Sequence, residues 1–177
     1  MDAADRLFYT QGVRAVGIER VLAEADAAKA SLYSHFRCKD ELVAAYVERR
    51  VSAAREQIDS YVEDVPAAQR ALRFFDWVVA WVESPGFRGC PLQHVVGELS
   101  DRGHPARKVA AAQRTWLLAR FTEWARAARA ADPAATAGAL MVLFDGAIAA
   151  SEQDGPQRAR DARRAVERLL ASRARAR

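Results

Sequence analysis

The constraint that most narrows the fold lies in residues 18–42, where two short apolar repeats are separated by a gap that only a tight turn can bridge. Ile18, Val21, Leu22 and Ala25 recur at offsets of three and four, which sets them on one helical face and leaves Arg20 and Glu24 toward water. After a turn at Asp26, Leu32 and Phe36 repeat at a spacing of four within Lys29-Ala30-Ser31-Leu32-Tyr33-Ser34-His35-Phe36, so a second helix can lock against the first. Lys29, Ser31, Tyr33 and His35 then project outward. The pattern predicts a helix-turn-helix whose outer face carries hydrogen-bonding groups suited to phosphate oxygens and base edges, on an element that a major groove admits.

Leu32-Tyr33-x-x-Phe36, followed at a short interval by Lys39-Asp40-x-Leu42, resembles the signature of TetR-like transcriptional repressors, and Leu7, Phe8 and Gly12 upstream fit the same pattern. The resemblance covers residues 3–48 closely and the rest of the chain as an architecture only. It implies an all-α protein of about nine helices, with a three-helix DNA-binding head over 1–46 and an effector-binding and dimerisation domain over 47–177. It implies phosphate contacts from Lys29, Tyr33 and Lys39, with the Tyr33 ring on the first helix, and base contacts from Ala30, Ser31 and His35. The implied partners are double-stranded DNA bearing a palindromic operator, a second copy of the chain, and a small apolar or aromatic effector that releases the repressor. The alternative is a helical small-molecule-binding protein whose head is degenerate. Three departures bear on that alternative. Asp26 stands where the turn normally holds glycine, Ala28 replaces the usual Ser or Thr cap, and the chain begins almost inside the first helix, without a basic extension.

Composition restricts the function classes less than the local pattern does. The sequence has 177 residues, enough for one sizeable core or for a small head and a larger body. No run of ~18 apolar residues predicts a membrane span, and the acidic, at once amphipathic amino terminus predicts no signal peptide. A cytoplasmic protein is expected, and two cysteines, Cys38 and Cys90, make no disulfide framework. The pI near 9.4 suggests an anionic partner. Residues 1–50, however, carry eight Lys or Arg against eight Asp or Glu, so the head is formally neutral. The surplus sits in residues 156–177, with eight Arg against Asp161 and Glu167, and reads as a solvated helix face. Only locally, with Lys29, Arg37 and Lys39 and no acid over 27–39, is the head basic.

Further helices are expected over 3–11, from 39 for several turns, over 67–83, 91–100, 105–131, 133–152 and 156–175, with Pro66, Pro91, Pro105, Pro133 and Pro156 near their starts. Phe74, Trp77, Trp81, Phe87, Trp116, Phe121, Met141 and Phe144 are candidates for an apolar effector pocket, with His94 as a polar handle. Leu140, Phe144 and Ile148, with Ala162, Val166 and Leu169, form stripes that either close the chain's own core or, as the resemblance implies, pair with a second copy. His94 and Glu98 share a helical face, but a single such pair lacks the ligand count of a metal site, so neither metal nor cofactor is expected. No nucleophile with a base and no phosphate-cradling glycine loop points to an enzyme.

Overall fold

The computed structural model describes residues 1–171 and is helical throughout its regular structure. Its helices are α1 (Asp2–Gln11), α2 (Ile18–Ala25), α3 (Lys29–His35), α4 (Lys39–Val62), α5 (Arg70–Val82), α6 (Pro91–Glu98), α7 (Pro105–Ala127), α8 (Pro133–Asp154) and α9 (Gln157–Ala171). Residues 172–175, expected to continue the last helix, lie outside the described residues. Two boundaries differ for identifiable reasons. Ala67–Gln69 forms a 3₁₀ turn after Pro66, so α5 starts at Arg70. Arg129 adopts a left-handed φ of 57° and closes α7 short of 131.

Two compact units result. The first comprises Met1–Ala53 with Cys90–Gln113, and the second comprises Ala54–Gly89 with the described residues from Arg114 on. The segment Cys90–Gln113 thus clusters with the first fifty-three residues, a grouping that the division at 46 does not contain.

In the first unit Leu7, Phe8, Val13, Val16, Val21, Leu42, Tyr46 and Val47 form the core, with Leu32 and Phe36 packed against it. Phe8 meets Tyr46 edge to face at 5.5 Å between centroids. The Arg50 guanidinium makes a bidentate pair with Asp5, at 2.7 and 2.6 Å, and lies 4.6 Å over the Tyr9 ring. Gly12 ends α1 at φ 88°, a backbone conformation that strains any other residue, and a Cβ there would come within 2.8 Å of the Glu98 carboxylate, which would have to move aside. That carboxylate accepts from the Arg14 amide at 2.8 Å and fastens α6 to the loop after α1.

In the second unit α5 is the central element, with Phe74, Phe75 and Val78 fully buried. Phe74 packs edge-on against Phe121 at 5.0 Å and against Phe144 at 5.5 Å. Asp132 caps α8 by accepting from the Ala135 amide at 2.9 Å, next to Pro133 in the first turn. Among the described helices α8 is long and apolar enough to cross a membrane by length and composition alone, although Asp145 interrupts its apolar run; it packs on α5 and α9. α9 turns its arginines to acids: Arg163 pairs with Asp76 and Glu167, Arg160 with Glu83, and Arg158 with Asp154 and Asp161. The described part of the Arg-rich terminus is therefore a salt-bridged helix face, partly fastened to α5.

Candidate nucleic-acid interface

Residues 29–39 owe their exposure to how little of α3 the core takes. None of its seven residues is buried, and Leu32 with the following Phe36 is its anchorage. Lys29, Ala30, Ser31, Tyr33 and His35 all lie exposed, and Lys39 is half-exposed at the start of α4. The six residues expected to touch DNA are thus brought together on one short stretch of the first unit. Tyr33 is 45% exposed. The Ser34 hydroxyl turns back to donate to the Ser31 carbonyl at 2.8 Å.

The turn before α3 holds its geometry without glycine. Asp26 adopts φ 47°, ψ 48°, the left-handed conformation that Asp tolerates better than most residues, and the Ala27 amide donates to the Leu22 carbonyl at 3.1 Å. Ala28 leaves α3 without a side-chain cap. The turn after α3 is better fastened. Glu41 reaches back to accept from the Arg37 amide at 2.8 Å and from its Nε at 2.7 Å. Those bonds, the amide's first, hold the Glu41 carboxyl below its usual range.

Charge pairing runs through this unit. Lys29 Nζ lies 2.8 Å from Glu19, whose hydrogen bond and charge raise the lysine's pKa. Arg37 is paired with Glu41, Arg6 with Glu24, Arg49 with Asp2 and Arg50 with Asp5. Lys39 has no ion pair among the described residues. Sequence spacing did not reveal the Glu19–Lys29 pair, since the two residues lie ten apart across a turn.

Of the expected effector residues, Phe74, Trp77, Trp81, Phe87, Phe121 and Phe144 join in one aromatic cluster, while His94, Trp116 and Met141 are not among its ring contacts. Phe74 and Phe121 are fully buried against each other and Trp124, as closed core. Trp77 stacks on Trp81 at 5.3 Å, with Phe87 edge-on at 5.5 Å. Arg55 and Arg120 both lie over Trp116, and Met141 is buried in α8. His94 belongs to the first unit, where its ring stacks on Tyr9 at 6.4 Å. A groove of about 540 Å³ in the second unit includes Trp77 together with Tyr61 and Arg73, which sequence reading missed. No group of three or more potential metal ligands occurs among the described residues.

The stripes on α8 and α9 are also placed differently. Leu140, Ile148 and Val166 are fully buried within the chain and Ala162 is 8% exposed, so they belong to the chain's own core. Phe144 is half-buried against Phe74. Leu169 instead helps line a shallow apolar depression of about 640 Å³ with Gly138, Ala139, Val142, Leu143, Ala165 and the Arg168 side chain. Val142 there is 69% exposed.

The description of bacterial regulatory proteins of the tetR family matches residues 1–46. The HTH-type transcriptional repressor DhaR of Mycobacterium sp. (strain GP1) is 26% identical over 128 residues, which cover 71% of this chain and 60% of that protein. A TetR-family transcriptional regulator from Streptomyces coelicolor superposes with a TM-score of 0.93 at 33% identity, over 98% of this chain and 93% of that one. A putative TetR regulator from Streptomyces avermitilis gives 0.86 at 30% identity, over 98% and 94%. Escherichia coli NemR in its reduced form, 19% identical with a TM-score of 0.84 over 94% and 92%, shares the fold. With two solved relatives at or above 30% identity over nearly the whole chain, the protein belongs to the TetR family of transcriptional regulators.

Proposed function

We propose that the chain is a DNA-binding transcriptional repressor that acts as a homodimer and leaves its operator when a small molecule binds the second unit. The observation that carries the reading is the exposed face of α3, where Lys29, Ser31, Tyr33 and His35 project from a helix that contributes nothing buried to the core. A helix so placed inserts into a major groove, with its hydroxyl and imidazole groups toward base edges and phosphates. Lys39 at the next helix start supplies a cation to the backbone. A cytoplasmic location accords with that role.

Dimerisation is supported by the open apolar depression on α8 and α9. Val142, Leu143 and Leu169 around Gly138 and Ala139 suit close approach of the same surface from a second copy, as two-fold symmetry requires. Two heads related by that symmetry read half-sites about 34–36 Å apart, or a multiple of that spacing, so the operator is palindromic. The effector site is assigned to the second unit, at the groove of Glu56, Gln57, Ser60, Tyr61, Arg73 and Trp77, where the Trp77 ring supplies an apolar surface among polar and charged groups. α4 runs unbroken from Lys39 to Val62, so a ligand that displaces its second half moves the head; the switch is limited to the ligand's differential affinity for the two arrangements.

Tyr33→Ala and Lys39→Ala test the reading. Each weakens binding to duplex DNA in fluorescence anisotropy while size-exclusion chromatography still reports the parental oligomer. Parental affinity in both variants would contradict it.

A further inference from the structure

Glu19 occupies the first turn of α2, yet its carboxylate lies 2.8 Å from Lys29 Nζ at the start of α3. Both side chains are open to solvent, at 74% and 60% exposure, so the pair is not a structural tie; exposed pairs of this kind contribute little to stability. Its effect falls on whatever approaches Lys29. Asp26 lines the same groove as Glu19 and Lys29, so an incoming phosphate meets two carboxylates beside that ammonium. A phosphate that takes Lys29 shares its ammonium with Glu19 or displaces that carboxylate, and in either case meets the Glu19 charge a few ångströms away. Arg37, beyond the other end of α3, is held in the same manner by Glu41, which also accepts from the Arg37 amide and is thereby committed to fastening the turn before α4. Glu19 has no such second role among the described hydrogen bonds.

We propose that Glu19 is an affinity-setting residue: its carboxylate competes with DNA phosphate for Lys29 and keeps this head from binding DNA as tightly as its surface cations allow. The proposal rests on α3 being the DNA-contacting helix, and it identifies a restraint within that surface. Because the competition is between exposed charges, salt weakens it over a screening length of roughly 8 Å at physiological ionic strength.

The test is DNA binding across a salt series with mixed-sequence duplex DNA as the probe. Glu19→Gln binds about three- to tenfold tighter than the parent at about 50 mM salt, with log K against log salt steeper by up to about 0.9, the slope of one further phosphate neutralised. The gain is lost when Lys29→Ala is added. Glu48→Gln removes the same charge from an exposed position of the same unit that has no ion pair among the described residues, and it changes affinity less than twofold (about the screened, long-range share). Parental affinity in Glu19→Gln, an equal gain in Glu48→Gln, or a gain that survives loss of Lys29 would each overturn the proposal. Failure of the underlying reading is separable, because then Tyr33→Ala and Lys39→Ala bind as the parent does whatever residue stands at 19.

Discussion

α3 and α8 are opposites in how sequence becomes surface. α3 separates its residues cleanly, with Leu32 toward the core, Phe36 just beyond its end, and everything polar outside. α8 is apolar on every side, and Leu140, Met141, Val142, Leu143 and Phe144 run consecutively around its circumference. In the first case polarity alone fixes which face meets solvent. In the second it cannot, and the packing of α5 and α9 decides: Leu140 is fully buried while Val142, two residues on, is 69% exposed. A mixed helix declares its outer face, whereas a uniformly apolar one hides it.

The largest effect expected from this contrast is on the buried side of α8. Leu140→Ala leaves a cavity beneath a fully buried side chain and costs about 2–5 kcal/mol in denaturant unfolding. On the outer side, Val142→Asp leaves the secondary structure intact but puts a charge in the apolar depression, weakening self-association at least about tenfold by analytical ultracentrifugation, as burial of an unpaired charge demands. If Val142→Asp kept the parental oligomer, the depression would not be the dimer face.

What the sequence made legible follows the same division. The α2–α3 pair, its tight turn at Asp26 and the outward placing of Lys29, Ser31, Tyr33 and His35 were readable because apolar spacing and polar residues agree there, while Ala30 and Lys39 came from the family resemblance. The roles of Leu140, Ile148 and Val166 were not, because a stripe at helical spacing serves a chain's own core as well as a partner's. His94 illustrates a second limit. Its place in a Pro91-started helix was readable, but its stacking on Tyr9 depends on a contact across eighty-five positions of sequence. Glu98 closing on Gly12 and Arg14 is of the same kind. The end of α7 at Ala127 escaped because the left-handed residue that follows it, Arg129, carries no glycine or proline signal.

Two smaller effects sharpen the account of α3. Ala28→Ser supplies the absent cap and raises stability by about 1 kcal/mol, measured by thermal unfolding. The Glu41 cap responds to pH in the opposite sense to a histidine. Its folded pKa is depressed, so its contribution is complete above the unfolded value near 4.5 and disappears as pH falls through the folded value. In an acid NMR titration, the Glu41 carboxyl is expected to titrate below 4.5, accompanied by the Arg37 amide that donates to it. A carboxyl titrating at or above that value would remove Glu41 as the fastening of the turn after α3.

The most direct test of the central claim is selection of bound fragments from a random double-stranded DNA library by the purified protein, at low and at near-physiological salt. A sequence-reading dimer selects a palindromic motif that survives the higher salt, with half-site centres about 34–36 Å apart or at a multiple of that spacing. Binding without any motif that vanishes as salt rises would show phosphate attraction alone, and would contradict a sequence-reading dimer.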